Sequence, residues 1–212
     1  MFQIKNYNDV PGMIMPSQCE DIIKIAKKLP PKSTVVEIGC AWGKSTWCWL
    51  EGLPEESRLI TIDVFMLDNK KGKHKKRQQT LGNPIIDEIM NYWLTHTGLE
   101  TLKKVLEEHP RKNVIDHFIY NGTSDSFDLS SIKKIDCVYI DGNHSYNYVK
   151  ADLEKFGDIS EIICGDDYKP EGRSGPYKPQ MGVVEAVDEY CEKNNRQFWT
   201  DPESFFWTAL KK

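Results

Sequence analysis

Long apolar runs are missing from this 212-residue chain, and no stretch approaches the roughly 20 residues that a membrane-spanning helix needs. A basic excess is missing too. The formal net charge is −4, which gives no general reason to expect nucleic acid or an anionic membrane as partner. The opening stretch, MFQIKNYNDVPGMIM, has no basic start followed by an apolar segment, so no export signal is expected. Cysteine is present but unpaired in spacing. Cys19, Cys40, Cys48, Cys137, Cys164 and Cys191 are scattered, which argues against a zinc knuckle or a disulfide framework. Several lie inside apolar runs, where a free thiol behaves as a small hydrophobe. Reduced cysteines in a cytoplasmic protein are therefore the expectation. There is no internal repeat and no linker between separate cores.

What is present describes a soluble globular protein, with 39% hydrophobic and 28% charged residues. The length suits one domain over 1–212. SQCEDIIKIAKKLP carries a helical apolar stripe at Ile22, Ile23, Ile25, Ala26 and Leu29, opened by Ser17 and closed by Pro30-Pro31. STVVEIGC is a β-branched strand, GKSTWCWLEGL a helix and RLITIDVF a second strand. The alternation continues with HTGLETLKKVLEEHP, NVIDHFIYNG, IDCVYIDG, SYNYVKADLEKFG, ISEIICGDDY and MGVVEAVDEYCEKNN. Such alternation builds an α/β fold, a parallel sheet covered on both faces. RQFWT and SFFWTALKK, joined by a tight turn, predict an antiparallel pair at the end. Trp199, Phe205, Phe206 and Trp207 in that pair read as sheet core. Two polar stretches, 66–84 and 169–180, follow strand ends, where ligand sites of open α/β sheets gather. Each is a candidate lid; the basic run inside the first also reads as a solvated insertion.

VVEIGCAWGKST is the first chemical signal. Gly39 and Gly43 flank a strand-to-helix turn that lets a ligand approach the backbone. A phosphate-cradling P-loop needs one more residue before Gly43-Lys44-Ser45. A dinucleotide fingerprint wants glycine where Ala41 stands. An adenosyl sulfonium, cationic and without phosphate, tolerates an acid beside the turn, and Glu37 supplies one. The next strand ends at Asp63, whose carboxylate can accept both ribose hydroxyl protons. Together these favour S-adenosylmethionine over NAD, with strand capping as the plainer reading. Ser124, in the turn after the third strand, can hydrogen-bond an adenine edge.

CVYIDGNHSYNYVKADL is the second signal, because Asp141 and His144 stand where a buried strand stops. The fifth strand ends in Asp166 and Asp167. If the two strands are neighbours, three carboxylates converge, and oxygen donors of that kind suit Mg²⁺ or another hard divalent cation. Turn capping is the alternative. A cation would lower the pKa of an acceptor hydroxyl. His144 is the candidate base, imidazole being the side chain whose unperturbed pKa lies near neutrality, and Asp141 is the other.

VVEIGCAWGKST, ITIDVF, NGTSDSF, IDCVYIDGNHSYNYVKADL, ICGDDY and GVVEAVDEY, in that order over roughly residues 16–195, resemble class I S-adenosylmethionine-dependent methyltransferases, specifically the macrocin O-methyltransferase-like branch. The resemblance implies a Rossmann-like, doubly wound, seven-stranded sheet, mostly parallel with the C-terminal strand inserted antiparallel. It implies cofactor contacts at Glu37, Gly39, Gly43, Ser45, Asp63 and Ser124. It also implies a Mg²⁺ site at Asp141, Asp166 and Asp167, with His144 or Asp141 beside the accepting hydroxyl. The chain departs from the pattern in the bulky Cys40-Ala41-Trp42 of its turn and in its basic 69–77 run. The expected activity is Mg²⁺-assisted O-methylation of a small, carbohydrate-like acceptor. A non-catalytic adenosyl-binding module, or an enzyme acting on a polyanion or nucleic acid, is the alternative, and a homo-oligomer is compatible with either.

Overall fold

The computed structural model describes residues 3–65, 97–170, 181–201 and 203–212. The candidate lid at 66–84 lies outside the described residues, and of 169–180 only Lys169 and Pro170 lie within them. Five parallel strands follow one another along the chain: β1 (Thr34–Ile38), β2 (Arg58–Asp63), β3 (Asp116–Asn121), β4 (Ile135–Ile140) and β5 (Ser160–Gly165). A closing hairpin, β6 (Gln197–Thr200) and β7 (Trp207–Leu210), completes a seven-stranded sheet of order β3-β2-β1-β4-β5-β7-β6. β7 runs antiparallel to both β5 and β6. The expected doubly wound, Rossmann-like sheet is present, including the inserted antiparallel strand.

Two helical layers cover the sheet. The period of two along each strand sends Val36, Ile38, Ile60, Ile62, Val138 and Ile140 into one core with Val149, Leu153 and Val187. Val35, Leu59, Cys137 and Tyr139 face the other way, against Ile22, Ala26, Trp49 and Leu50. These residues come from α1 (Pro16–Lys28) and α2 (Lys44–Gly52) on the second face. The first face is covered by α4 (Tyr146–Asp152) and α5 (Met181–Lys193). α3 (Gly98–Glu108) opens with a reciprocal cap, in which Thr97 Oγ1 accepts the Glu100 N–H at 3.1 Å and Glu100 accepts the Thr97 N–H at 2.7 Å. Each fully buried aliphatic side chain in these cores contributes about 1.5–3 kcal/mol.

Three local details differ from the sequence expectation. α1 starts at Pro16, ahead of Ser17, because Gln18 rather than a hydroxyl satisfies the first turn; its Oε1 accepts the Met15 N–H at 2.5 Å. The helix after β4 is α-helical only to Asp152 and then widens into a π turn, Leu153–Gly157. Phe205, Phe206 and Trp207 are buried as expected, but Trp199 is 55% exposed, since β6 is the sheet edge and that face of it is uncovered. All six cysteines are free and buried. Among the described residues no helix is long and apolar enough to cross a membrane.

Candidate active site

The C-terminal ends of the parallel strands open into a cavity of about 870 Å³, the size and place expected of a ligand site in an open α/β sheet. Its floor is the turn after β1. Gly39 has φ 89° and Gly43 φ 95°, both left-handed. A Cβ on Gly39 would lie 2.1 Å from the carbonyl oxygen of Asp141, so the ends of β1 and β4 approach as closely as they do only because position 39 carries no side chain. Gly43 begins α2, and Ser45 in its first turn lines the cavity.

Asp63, at the tip of β2, holds two strained segments at once. One carboxylate oxygen accepts the Ala41 N–H at 2.8 Å and the other the Phe65 N–H at 2.6 Å. Ala41 (φ 47°) and Phe65 (φ 48°) are both left-handed without being glycine. Backbone strain of this kind persists where surrounding contacts over-determine it, commonly at ligand sites. Asp63 also lines the cavity.

Glu37 stands elsewhere. The strand alternation sends it under the turn and against α2, fully buried and off the cavity wall. Thr46 Oγ1 donates to its Oε2 at 2.6 Å, while Oε1 has no hydrogen-bond partner among the described residues. Burial pushes its pKa up to about 7.

The other end of the cavity gathers the acids of β4 and β5. Asp141, His144, Asp166 and Asp167 all line it. His144 Nδ1 lies 2.8 Å from Asp167, and its Nε2 lies 3.5 Å from Asp141. The hydroxyl of Tyr139 donates to Asp141 at 3.2 Å. The ammonium of Lys169 pairs with the second oxygen of Asp167, which itself sits at φ 63°. Gln18, buried at the start of α1, donates to Asp166. Burial raises the pKa of Asp141, and burial followed by the charge of Asp141 raises Asp166 well above the usual carboxylate range. Among the described residues no three His, Cys, Asp or Glu side chains stand as a ready-made metal set, and Asp167 is paired with His144 and Lys169. The donor chemistry nonetheless suits a hard divalent cation: the groups are oxygen acids whose mutual repulsion a cation would relieve.

At the β3 side, Ser124 is on the wall and donates its hydroxyl to Asp152 of α4. Burial raises the Asp152 carboxyl to about 6.

A family model described as a methyltransferase domain matches residues 36–161, more than half of the chain. The chain belongs to that methyltransferase family. No curated protein sequence matches it. Among solved structures, the methyltransferase is similar to cofactor-bound Rv0187 from MTB, with a TM-score of 0.61 at 14% identity, covering 95% of this chain and 83% of that one. The O-methyltransferase from Bacillus cereus in complex with SAH gives 0.56 at 13%, covering 96% and 86%. TomG from Streptomyces achromogenes, an O-methyltransferase involved in tomaymycin synthesis and solved with SAM, gives 0.57 at 13%, covering 94% and 82%. At these identities the likeness establishes the fold.

Of the residues singled out in the sequence, the structure brings Gly39, Ser45, Asp63, Ser124, Asp141, His144, Asp166 and Asp167 to one cavity. Gly43 supports the turn from beneath, and Glu37 is behind it. Sequence reading missed Gln18, Asp152 and Lys169 of the methyltransferase. Asp152 stands inside a quoted motif and Lys169 directly follows one, so proximity was a signal for both. Gln18 had none, since only the strand order places the start of α1 over the end of β5.

Proposed function

We propose that the chain is an S-adenosylmethionine-dependent O-methyltransferase acting on a hydroxyl of a small molecule, a sugar or natural-product glycoside of the kind handled by the macrocin O-methyltransferase-like branch. The observation that carries this reading is a single cavity joining two groups of residues: the Gly39 turn with Asp63, and the His144 cluster of acids. Bound there, S-adenosylmethionine supplies a methyl carbon on a sulfonium, open to in-line displacement by oxygen. Asp63 accepts the ribose hydroxyls, and the bare Cα of Gly39 leaves room for the ligand to lie against the backbone. Asp167 accepts the Nδ1 proton of His144, which fixes the ring and presents Nε2, 3.5 Å from Asp141, to the hydroxyl proton. The oxygen–carbon bond forms as the carbon–sulfur bond breaks, and the proton ends on His144.

A divalent cation would be held by Asp141, Asp166 and Asp167 and would increase the acidity of the hydroxyl. A second reading is favoured by the Lys169–Asp167 pair: the ammonium supplies the positive charge that the acids require. The test is methyl transfer from labelled S-adenosylmethionine to a panel of sugar and glycoside hydroxyls, before and after chelation of metal. A rate restored by Mg²⁺ supports the cation, and a rate untouched by chelation supports Lys169. His144→Ala should lower turnover about 100-fold or more in either case. Wild-type turnover matched by His144→Ala would remove the base.

A further inference from the structure

Gln18 stands where one side chain must both accept and donate. It is the third residue of α1, is 2% exposed and lines the cavity. Its Oε1 accepts the Met15 N–H at 2.5 Å, and its Nε2 donates to Asp166 Oδ1. The backbone donor at Met15 fixes which end of the amide faces which way, because an N–H cannot meet the amide nitrogen. The two partners belong to different parts of the wall. Met15 ends the segment 11–15, every residue of which lines the cavity, whereas Asp166 directly follows β5 at the end that holds His144. The bond between Gln18 and Asp166 thus joins the start of α1 to the acids across most of the chain's length.

Asp166 is held at nearly every polar atom it has. Its N–H donates to the Ile140 carbonyl at 3.3 Å, and its own carbonyl accepts the Trp207 indole N–H at 3.2 Å. Oδ1 accepts twice, from Gln18 and from the Asp167 N–H at 2.5 Å. Oδ2 is left without a hydrogen-bond partner among the described residues. Two donors converging on one oxygen fix the rotation of the carboxylate, so the other oxygen is presented in one direction. Without them, repulsion from Asp141 at the neighbouring strand end would turn the group. The Asp167 N–H comes with the backbone, and Gln18 supplies the side-chain donor. Resting on the methyl-transfer reading above, we propose that Gln18 is a positioning residue for that reaction. It locks Asp166 with Oδ2 toward the acceptor, and through Met15 it sets the segment 11–15 against the same acceptor. The amide touches no reacting atom. It acts by keeping acid and wall in one arrangement, and a misplacement of about 1 Å at a reacting centre costs on the order of 100-fold in rate.

The test compares the full-length wild type with Gln18→Met and Gln18→Glu. Methyl transfer from labelled S-adenosylmethionine to the panel of sugar and glycoside hydroxyls gives kcat and KM, and calorimetry gives the affinity and stoichiometry for S-adenosylhomocysteine. Gln18→Met keeps the length of the side chain and loses both bonds. Gln18→Glu keeps an acceptor for the Met15 N–H, and with it the start of α1. It presents Asp166 with a second carboxyl, which either repels it or shares a proton with it, in place of a fixed N–H. Both variants should lower kcat about 10- to 100-fold, with KM for S-adenosylmethionine and binding of S-adenosylhomocysteine changed by less than about threefold. Gln18→Glu, which spares the helix start, decides the matter if Gln18→Met does not fold. Wild-type kcat in Gln18→Glu would overturn the assignment. So would a fall in kcat matched by an equal fall in the fraction of chain that binds S-adenosylhomocysteine, since that is loss of folded protein. Binding of S-adenosylhomocysteine by a wild type that methylates no member of the panel would remove the acceptor reading and this assignment with it, while leaving the adenosyl site standing.

Discussion

Glu37 stands fully buried beneath the cofactor turn with one oxygen bonded to Thr46 and the other without a hydrogen-bond partner among the described residues. Its folded-state pKa is raised from 4.5 to about 7. A raised carboxyl means that the folded protein binds a proton more tightly than the unfolded chain. Stability from this group is therefore fully present below about pH 4.5 and is lost as pH rises through about 7. Asp152, raised from 3.8 to about 6, acts in the same direction. Glu37→Gln keeps the shape and an acceptor for Thr46 but cannot ionise. It should match the wild type in thermal unfolding at pH 4.5 and exceed it at pH 8 by on the order of 2 kcal/mol. A variant that matches the wild type at pH 4.5 but is less stable at pH 8 would show that the charge at position 37 is favourable. Glu37 was legible in the sequence as an acid beside the turn. Its direction was not, because the alternation that points Val36 and Ile38 into one core points position 37 away from the cavity only once the faces are known.

Elements were the most legible scale. β-branched runs such as Val35-Val36 and Ile60-Thr61-Ile62 identified strands, and the stripe of α1 with its Pro30-Pro31 stop identified a helix. The π turn at Leu153–Gly157 was not legible, since nothing in DLEKFG distinguishes it from an α-helical turn. It is fastened from outside by Arg196. The buried guanidinium donates to the carbonyls of Gly157 at 2.6 Å, Ser160 at 2.8 Å and Glu161 at 3.1 Å. One side chain at the start of β6 thus ties the end of the π turn to the start of β5. Arg196→Met keeps most of the apolar stem and strands those carbonyls in a buried place. It should cost about 3 kcal/mol in urea unfolding. A loss below about 0.5 kcal/mol would mean that water replaces the guanidinium without penalty.

Over the whole molecule, the alternation of strand and helix patterns specified a parallel sheet with two helical covers but not the strand order. The order, with β4 beside β1 and β5, is seen only in the structure. It is the order that turns scattered acids into a site: β4 pairs with β5 from Ile135 to Ile140, which sets Asp141 next to Asp166 and Asp167. The same order leaves β6 at the edge and so exposes Trp199, which composition alone assigned to the core. Gln18, far from the acids in sequence, reaches Asp166 only through it. In the proposed reading, ligand functions run along the strand ends: base after β3, ribose at β2, the glycine turn at β1, and the reacting end at β4 and β5. The claim most directly at stake is that this row of strand ends is an adenosyl pocket. Calorimetric titration of the wild type and of Asp63→Ala with S-adenosylhomocysteine tests it. Saturable binding to the wild type, weakened about 100-fold in a variant that has lost two charge-assisted acceptors, is the result predicted here. No binding to the wild type, or equal binding to both proteins, would contradict it.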